Sequence, residues 1–204
     1  ILSGDVMMIQ TYQLMLKVDS DILKDVLEVF SKAATEVCEG QQWDMDFETQ
    51  SDVSLSDYMK MVENKTAVLL ASSLQIGGIT AGASKENQNN LYHFGLNMGI
   101  AFQLKDDLLD AFGNLAEFGK QIGGDIIANK KTYLYLKALE LANPNQYSDL
   151  IKYFSTTEFT KDKVEGVKSI FSALDIHNVT SELMKGYHAK AMQHLDAINS
   201  ENKE

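Results

Sequence analysis

The chain has 204 residues, 45% of them hydrophobic, and its 18 basic and 29 acidic side chains leave a formal charge of −11. That suffices for one domain, 1–204, with a substantial core, while the acidic field disfavours nucleic acid and anionic membrane, and no apolar run reaches the length of a membrane span. The single cysteine, Cys38, excludes a disulfide framework and a CxxC metal site and suits a reducing cytoplasm.

One proline, scarce Val and abundant Leu, Ala, Lys, Glu and Met favour helix, and no stretch alternates with period two between turn signals. The fold class is therefore read as all-α. Leu2-Ser3-Gly4-Asp5 leads into an apolar helix through Leu16. Ser20 suits the N-cap of a second helix from Asp21, with Ile22, Leu23, Val26, Leu27, Phe30, Ala33, Ala34 and Val37 on its buried face. Glu39 to Glu48 reads as a loop in which Asp46 and Glu48 are solvated. A calcium loop starting at Asp44 fails there, because Thr49 stands where Gly is needed and Leu55 where Glu is needed. Ser54 then caps a long helix through Tyr58, Lys65, Thr66 and the apolar run Ala67 to Ala71. A lysine directly before such a run is placed to point inward at an anion. Gly77, Gly78, Ala81, Gly82 and Ala83 permit either close helix approach or an open channel. Lys85 to Asn90 reads as a polar turn before a helix from about Leu91 to Phe112.

That helix carries the chemistry. Gln103, Asp106, Asp107 and Asp110 fall at i, i+3, i+4 and i+7, a polar stripe in a setting of Ile100, Ala101, Phe102, Leu104, Leu108, Leu109, Ala111 and Phe112. An outer helix face would mix Lys with Glu, so this stripe is expected to face a cavity, and its like charges call for a cation. An all-oxygen, open set suits Mg²⁺, whereas zinc would want His or Cys. Gly95 and Gly99, on the stripe of Gln103, are expected to keep the space before the carboxylates clear.

Downstream, Gly113 to Lys131 is glycine-rich and holds Lys120 and Lys130, so freed backbone N–H groups and two ammoniums can meet phosphate. A P-loop is excluded by the Gly113–Gly119 spacing, by Gln121 and by the preceding helix. Beyond Thr132 the chain reads as plain bundle, with Asn143-Pro144 opening a helix. His177, His188 and His194 complete no Glu-x-x-His, so a di-iron bundle fails on ligands, and they are expected at the surface or at caps.

Phe102-Gln103-x-x-Asp106-Asp107-x-x-Asp110 resembles the second aspartate-rich motif of the trans-isoprenyl diphosphate synthases, the polyprenyl synthetases. Gly40-Gln41-x-x-Asp44, Tyr58-x-x-Met61-x-x-x-Lys65-Thr66, and Gly119-Lys120-x-x-Gly123-x-Asp125 followed by Asn129-Lys130-x-Thr132 are similar to that family's other motifs, in the same order. Asn129 departs from it, standing where glycine is common. The resemblance implies an isoprenoid synthase-type helical bundle around a central cavity, and a transferase that condenses an allylic diphosphate with isopentenyl diphosphate. It implies Mg²⁺ on Asp106, Asp107 and Asp110. It further implies an allylic diphosphate bound by Gln41, Asp44, Lys65, Thr66, Gln103, Lys120 and Lys130, with Lys65 and Lys120 neutralising the departing group. A homodimer follows from the resemblance and from the surplus of apolar helix faces.

Two parts that the resemblance leads one to expect are absent from these residues: a first aspartate-rich motif and the arginine pair after it. Every basic residue is Lys, so isopentenyl diphosphate lacks the planar fork that grips phosphate in two places. The resemblance sets Leu2-Ser3-Gly4-Asp5 after that first motif, so the opening helices are expected to be missing. Were the chain naturally this short, a non-catalytic partner subunit of a synthase would be the alternative reading. Terpene cyclases share the bundle but differ in their second metal motif.

Overall fold

A computed structural model describes residues 2–113, 123–156 and 161–199, and every regular element among them is helical. Helix α1 (Leu2–Met15) precedes α2 (Ser20–Thr49); α3 (Leu55–Val62) runs through a π-helical turn (Glu63–Ala67) into α4 (Val68–Thr80). Then follow α5 (Lys85–Phe112), the single turn α6 (Gly124–Ile127), α7 (Tyr133–Leu141), α8 (Pro144–Phe154), α9 (Lys161–Ala173) and α10 (Ile176–Ala197). The centre is α5, packed chiefly between α4 and α10, while α2 lies across α4 and the π-helical turn.

Burial selects the core along these helices. Leu104 and Leu108 of α5 meet Leu134 and Leu136 of α7, Leu150 of α8, Val167 and Phe171 of α9 and Ile176 of α10 in one apolar cluster. Each such side chain removed from water stabilises the fold by about 1.5–3 kcal/mol. Two capping boxes fix helix starts: Ser54 with Asp57 at α3, and Asn143 with Gln146 at α8, where Pro144 takes the first helical position.

Several expectations are corrected. Asp19, not Ser20, holds the N-cap position of α2, and its side chain makes no capping bond. Of the expected α2 face, Val26 and Ala33 are fully buried and the others only partly. Residues 39–48 are helical rather than a loop. A helix-interior glycine costs about 1 kcal/mol, yet a Cβ on Gly40 would lie 2.3 Å from the Lys65 backbone nitrogen, so close packing on the π-helical turn overrides propensity. The polar segment 85–90 is the first stretch of α5, because the Ser84 Oγ accepts the Asn87 N–H at 3.2 Å and caps it.

Gly95 and Gly99 do not clear a space. A Cβ there would lie 2.7 Å from Ala71 Cα and 2.5 Å from Ala67 Cα respectively, so α4 and the end of the π-helical turn before it fill these positions and touch α5 along their backbones. Helix α1 has no buried residue, and its Leu2, Val6, Ile9 and Leu14 are exposed; Tyr12, edge-on to Phe30 at 5.2 Å, attaches it to α2.

Gly99→Ala should therefore force α4 away from α5 and lower stability by about 1–3 kcal/mol, the usual cost of overpacking. A urea unfolding midpoint equal to that of the parent would refute this account of the contact.

Candidate active site

Four α-helices, the π-helical turn and the segment before α7 converge on a polar cavity. It is lined by Asp44, Phe47 and Glu48 of α2, Tyr58, Met61 and Val62 of α3, Lys65 and Thr66 of the π-helical turn, Gln103, Asp106 and Asp107 of α5, and Asp125, Lys130, Lys131 and Thr132. The extra residue per turn of a π-helix, a form that recurs at functional sites, occurs where Lys65 and Thr66 enter.

Across the cavity the Lys65 ammonium donates to Asp44 Oδ2 at 2.5 Å, joining the π-helical turn to α2. The Thr66 hydroxyl donates to Gln103 Oε1 at 3.2 Å, and the Gln103 amide donates to Asp107 Oδ1 at 3.0 Å. The other Asp107 oxygen accepts the Tyr58 hydroxyl at 2.5 Å. Lys130 pairs with Asp125 at 2.9 Å, and this carboxylate holds the Lys130 ammonium above its ordinary value. Lys131 donates to the Phe47 carbonyl at 2.5 Å, near the C-terminal end of α2, where a cation is favoured.

The aspartate stripe divides into three roles. Asp106 lines the cavity. Asp107 is only 3% exposed, and both its oxygens are taken by protein donors. Asp110 does not line the cavity; its Oδ2 accepts the Asp125 N–H at 3.0 Å and caps α6. In this arrangement, among the described residues, no three His, Cys, Asp or Glu side chains stand together as a metal-binding group.

Of the other expected residues, Asp44, Lys65, Thr66, Gln103 and Lys130 come together at the cavity. Gln41 is exposed on α2 and is not among the lining residues. Lys120 lies outside the described residues. Asp46 is exposed as expected, bonded to Gln42 at 2.8 Å within the helix. Glu48 is exposed too, yet lines the cavity rim. His177 and His188 are exposed, and His194 is half-buried and stacks on His93.

A sequence model of the polyprenyl synthetase family matches residues 1–174. The chain belongs to the polyprenyl synthetase family. It is 32% identical to geranylgeranyl diphosphate synthase of Saccharolobus solfataricus over 207 aligned residues, covering 100% of this chain and 62% of that protein. A solved geranylgeranyl pyrophosphate synthase shares 42% identity at a TM-score of 0.91 over 99% of this chain and 64% of that one. A geranylgeranyl pyrophosphate synthase from Corynebacterium glutamicum, complexed with isoprenyl diphosphate and magnesium, shares 26% identity at a TM-score of 0.89 over 100% of this chain and 58% of that one. In each case the chain spans less than two thirds of the matched protein. The fold is thus that of the isoprenoid synthase helical bundles.

In this polyprenyl synthetase chain, Tyr58, Asp125 and Lys131 are site residues that sequence reasoning did not select. Tyr58 and Asp125 stand inside two of the family-like motifs, but nothing in a linear pattern shows that Tyr58 meets an aspartate 49 positions on.

Burial pushes the Asp107 carboxyl up from 3.8 to about 7; the Tyr58 and Gln103 hydrogen bonds pull it down, and Asp125 and Asp106 raise it further. Burial likewise raises Asp110, and raises Tyr58 well above the ordinary phenol, with Asp107 adding to the effect. The folded state keeps the Asp107 proton where the unfolded chain has released it. The unfolded state binds fewer protons in that window, so stability falls as pH rises from 3.8 to about 7. Asp107→Asn should flatten this slope. Denaturant unfolding at several pH values in the window checks it, and an unchanged slope would remove Asp107 as its source.

Proposed function

We propose that this chain serves a trans-prenyltransferase that joins an allylic diphosphate to isopentenyl diphosphate, giving a longer trans-polyprenyl diphosphate. The supporting observation is the convergence of Lys65, Thr66, Gln103, Asp106 and Lys130 on one cavity, continued by an exposed apolar strip. Phe102, 67% exposed, lies four residues before Asp106, and Leu69, 52% exposed, lies four residues after Lys65. Each therefore sits one turn from a cavity residue on the same helix face. On antiparallel helices the strip leads from the polar cavity, which suits a ligand with an anionic head and a hydrocarbon tail.

In this reading Lys65 and Lys130 neutralise diphosphate oxygens, and the family resemblance assigns the same task to Lys120. Thr66 and Gln103 orient the head group by hydrogen bonds, and Asp107, gripped by Tyr58 and Gln103, holds Gln103 in place. The carboxylates of Asp106 and Asp125 line the same cavity, an oxygen-only donor set that fits Mg²⁺, which takes one or two carboxylates with waters and phosphate. Magnesium held there would supply charge neutralisation as the diphosphate departs. The apolar strip would receive the hydrocarbon tail of the allylic group.

Two further features belong to this reading. The exposed apolar residues of α1 support a homodimer that covers them. No helix of the described residues is long and apolar enough to cross a membrane, and Cys38 is a free, exposed thiol, which together support a cytoplasmic setting.

Calorimetric titration with Mg²⁺ and a non-hydrolysable allylic diphosphate analogue should give metal-dependent binding. Asp106→Ala should weaken it and, in a complete synthase, lower turnover by about 10²–10³, the worth of one preorganised electrostatic contact. Unchanged binding in that variant would overturn the assignment. Binding without elongation of radiolabelled isopentenyl diphosphate, in this chain and in any longer reading frame containing it, would instead favour a non-catalytic partner subunit. Sedimentation at micromolar concentration should find a dimer, and a monomer would refute the proposed burial of α1.

A further inference from the structure

The wall of the cavity that carries Asp125 and Lys130 is built on little: α6 is a single turn, and the residues after it make no regular element until α7. What holds it comes from the first turn of α9. Val164 packs on the start of α6, where a Cβ on Gly123 would lie 2.8 Å from Val164 Cγ1. Gly123 adopts φ 79°, so glycine there meets both the backbone conformation and the close packing. At the other end of α6 stands Lys163, 2% exposed although it carries an ammonium.

The Lys163 ammonium donates to Asn129 Oδ1 at 2.5 Å, to the Thr156 carbonyl at 3.0 Å and to the Ile127 carbonyl at 3.4 Å, and lies 5.8 Å from the centre of the Phe154 ring. Ile127 closes α6, and Thr156 lies just beyond α8, so the cation sits where two helices leave carbonyls without helical partners. Asn129 is left-handed, with φ 55°, a conformation that asparagine tolerates better than most residues. Its amide also donates to the Thr156 carbonyl at 3.2 Å. The next residue is Lys130, whose backbone N–H returns to the Asp125 carbonyl at 2.9 Å and whose ammonium pairs with the Asp125 carboxylate.

We propose that Lys163 is a positioning residue for the diphosphate-binding wall, clamping the 127–129 turn to the end of α8 so that Asp125 and Lys130 are held at the cavity. The proposal rests on the diphosphate reading above but concerns a side chain that does not line the cavity. It binds no ligand itself; it fixes the frame of residues that do. One turn further along α9, Gly166 lets the Tyr153 ring approach where a Cβ would stand 2.3 Å from its hydroxyl, so α9 also packs closely on α8.

The test compares the 204-residue protein with Lys163→Met, which keeps most of the stem's volume, and with Asn129→Gly, which deletes the amide but keeps a left-handed φ accessible. Titration with Mg²⁺ and inorganic pyrophosphate should show affinity weakened roughly tenfold in Lys163→Met, in line with other groups that orient ligand-binding side chains, and a smaller loss in Asn129→Gly. Amide hydrogen exchange should quicken at residues 127–130 in both variants while α4 and α5 stay protected. Unchanged affinity in both variants, or exchange that quickens throughout the chain, would overturn the proposal. Wild-type protein that fails to bind pyrophosphate would count against the diphosphate reading itself, and the exchange comparison would still decide whether Lys163 holds the turn.

Discussion

The close approach of α4 and α5 is the constraint on which the site depends. Gly95 and Gly99 let the backbone at Ala71 and Ala67 lie against α5, and Gly40 lets the π-helical turn lie against α2 in the same way. With side chains at these three positions the helices would stand further apart, and the Thr66 hydroxyl could not reach Gln103 at 3.2 Å. Backbone contact of this kind leaves little freedom to slide, so the register between Lys65-Thr66 and Gln103-Asp106 is fixed by packing before any ligand or metal adds to it. The apolar cluster of α5 with α7 to α10 then holds the other side of the same helix.

On that frame the protein gathers Asp44, Asp106, Asp107 and Asp125 around one cavity, which their mutual repulsion opposes. Three devices offset this. Lys65 and Lys130 each pair with a carboxylate, Tyr58 and Gln103 saturate the oxygens of Asp107, and backbone N–H capping absorbs Asp110. The Asp107 carboxyl is raised chiefly by burial, which its two hydrogen bonds do not cancel, and Asp125 and Asp106 add to the effect. Lysine suits such a site because its point charge on a flexible stem can pair with a carboxylate or turn to a phosphate, where a bidentate arginine fork would be more committed.

Much of this was legible in the sequence because the signals are local. The helical class, the Ser54 and Asn143 starts and the polar stripe on α5 follow from composition, capping chemistry and a 3.6-residue period. The errors share a cause in tertiary packing. Gly40 and the acidic residues after it look like a loop until the π-helical turn is laid against them, and Gly95 and Gly99 look like open space until α4 fills it. Lys85 to Asn90 looks like a turn because its polarity shows no buried face, although Gln88 is in fact buried and bonded to the Ala83 carbonyl at 2.7 Å. Tyr58 and Lys163 were illegible for another reason: a tyrosine or lysine in a helix is unremarkable until its partner is known, and theirs lie 49 and 34 residues away.

The three aspartates of the α5 stripe show how far one-dimensional spacing can be trusted. Placing Asp106, Asp107 and Asp110 on one side of a helix suggests a common task, yet a helix face is an arc and each position on it meets a different neighbour. Asp107 points where α3 supplies the Tyr58 hydroxyl, Asp110 points where the chain returns at Gly123 to Asp125, and Asp106 faces the cavity. Asp107 and Asp110 also tie α5 to the elements on either side of it. A carboxylate buried against hydroxyl, amide or backbone donors is an expensive anchor, but it fixes direction as well as distance, which an apolar contact does not. In this arrangement Asp106 and Asp107 both line the cavity, while Asp107 and Asp110 also anchor α5 through protein donors.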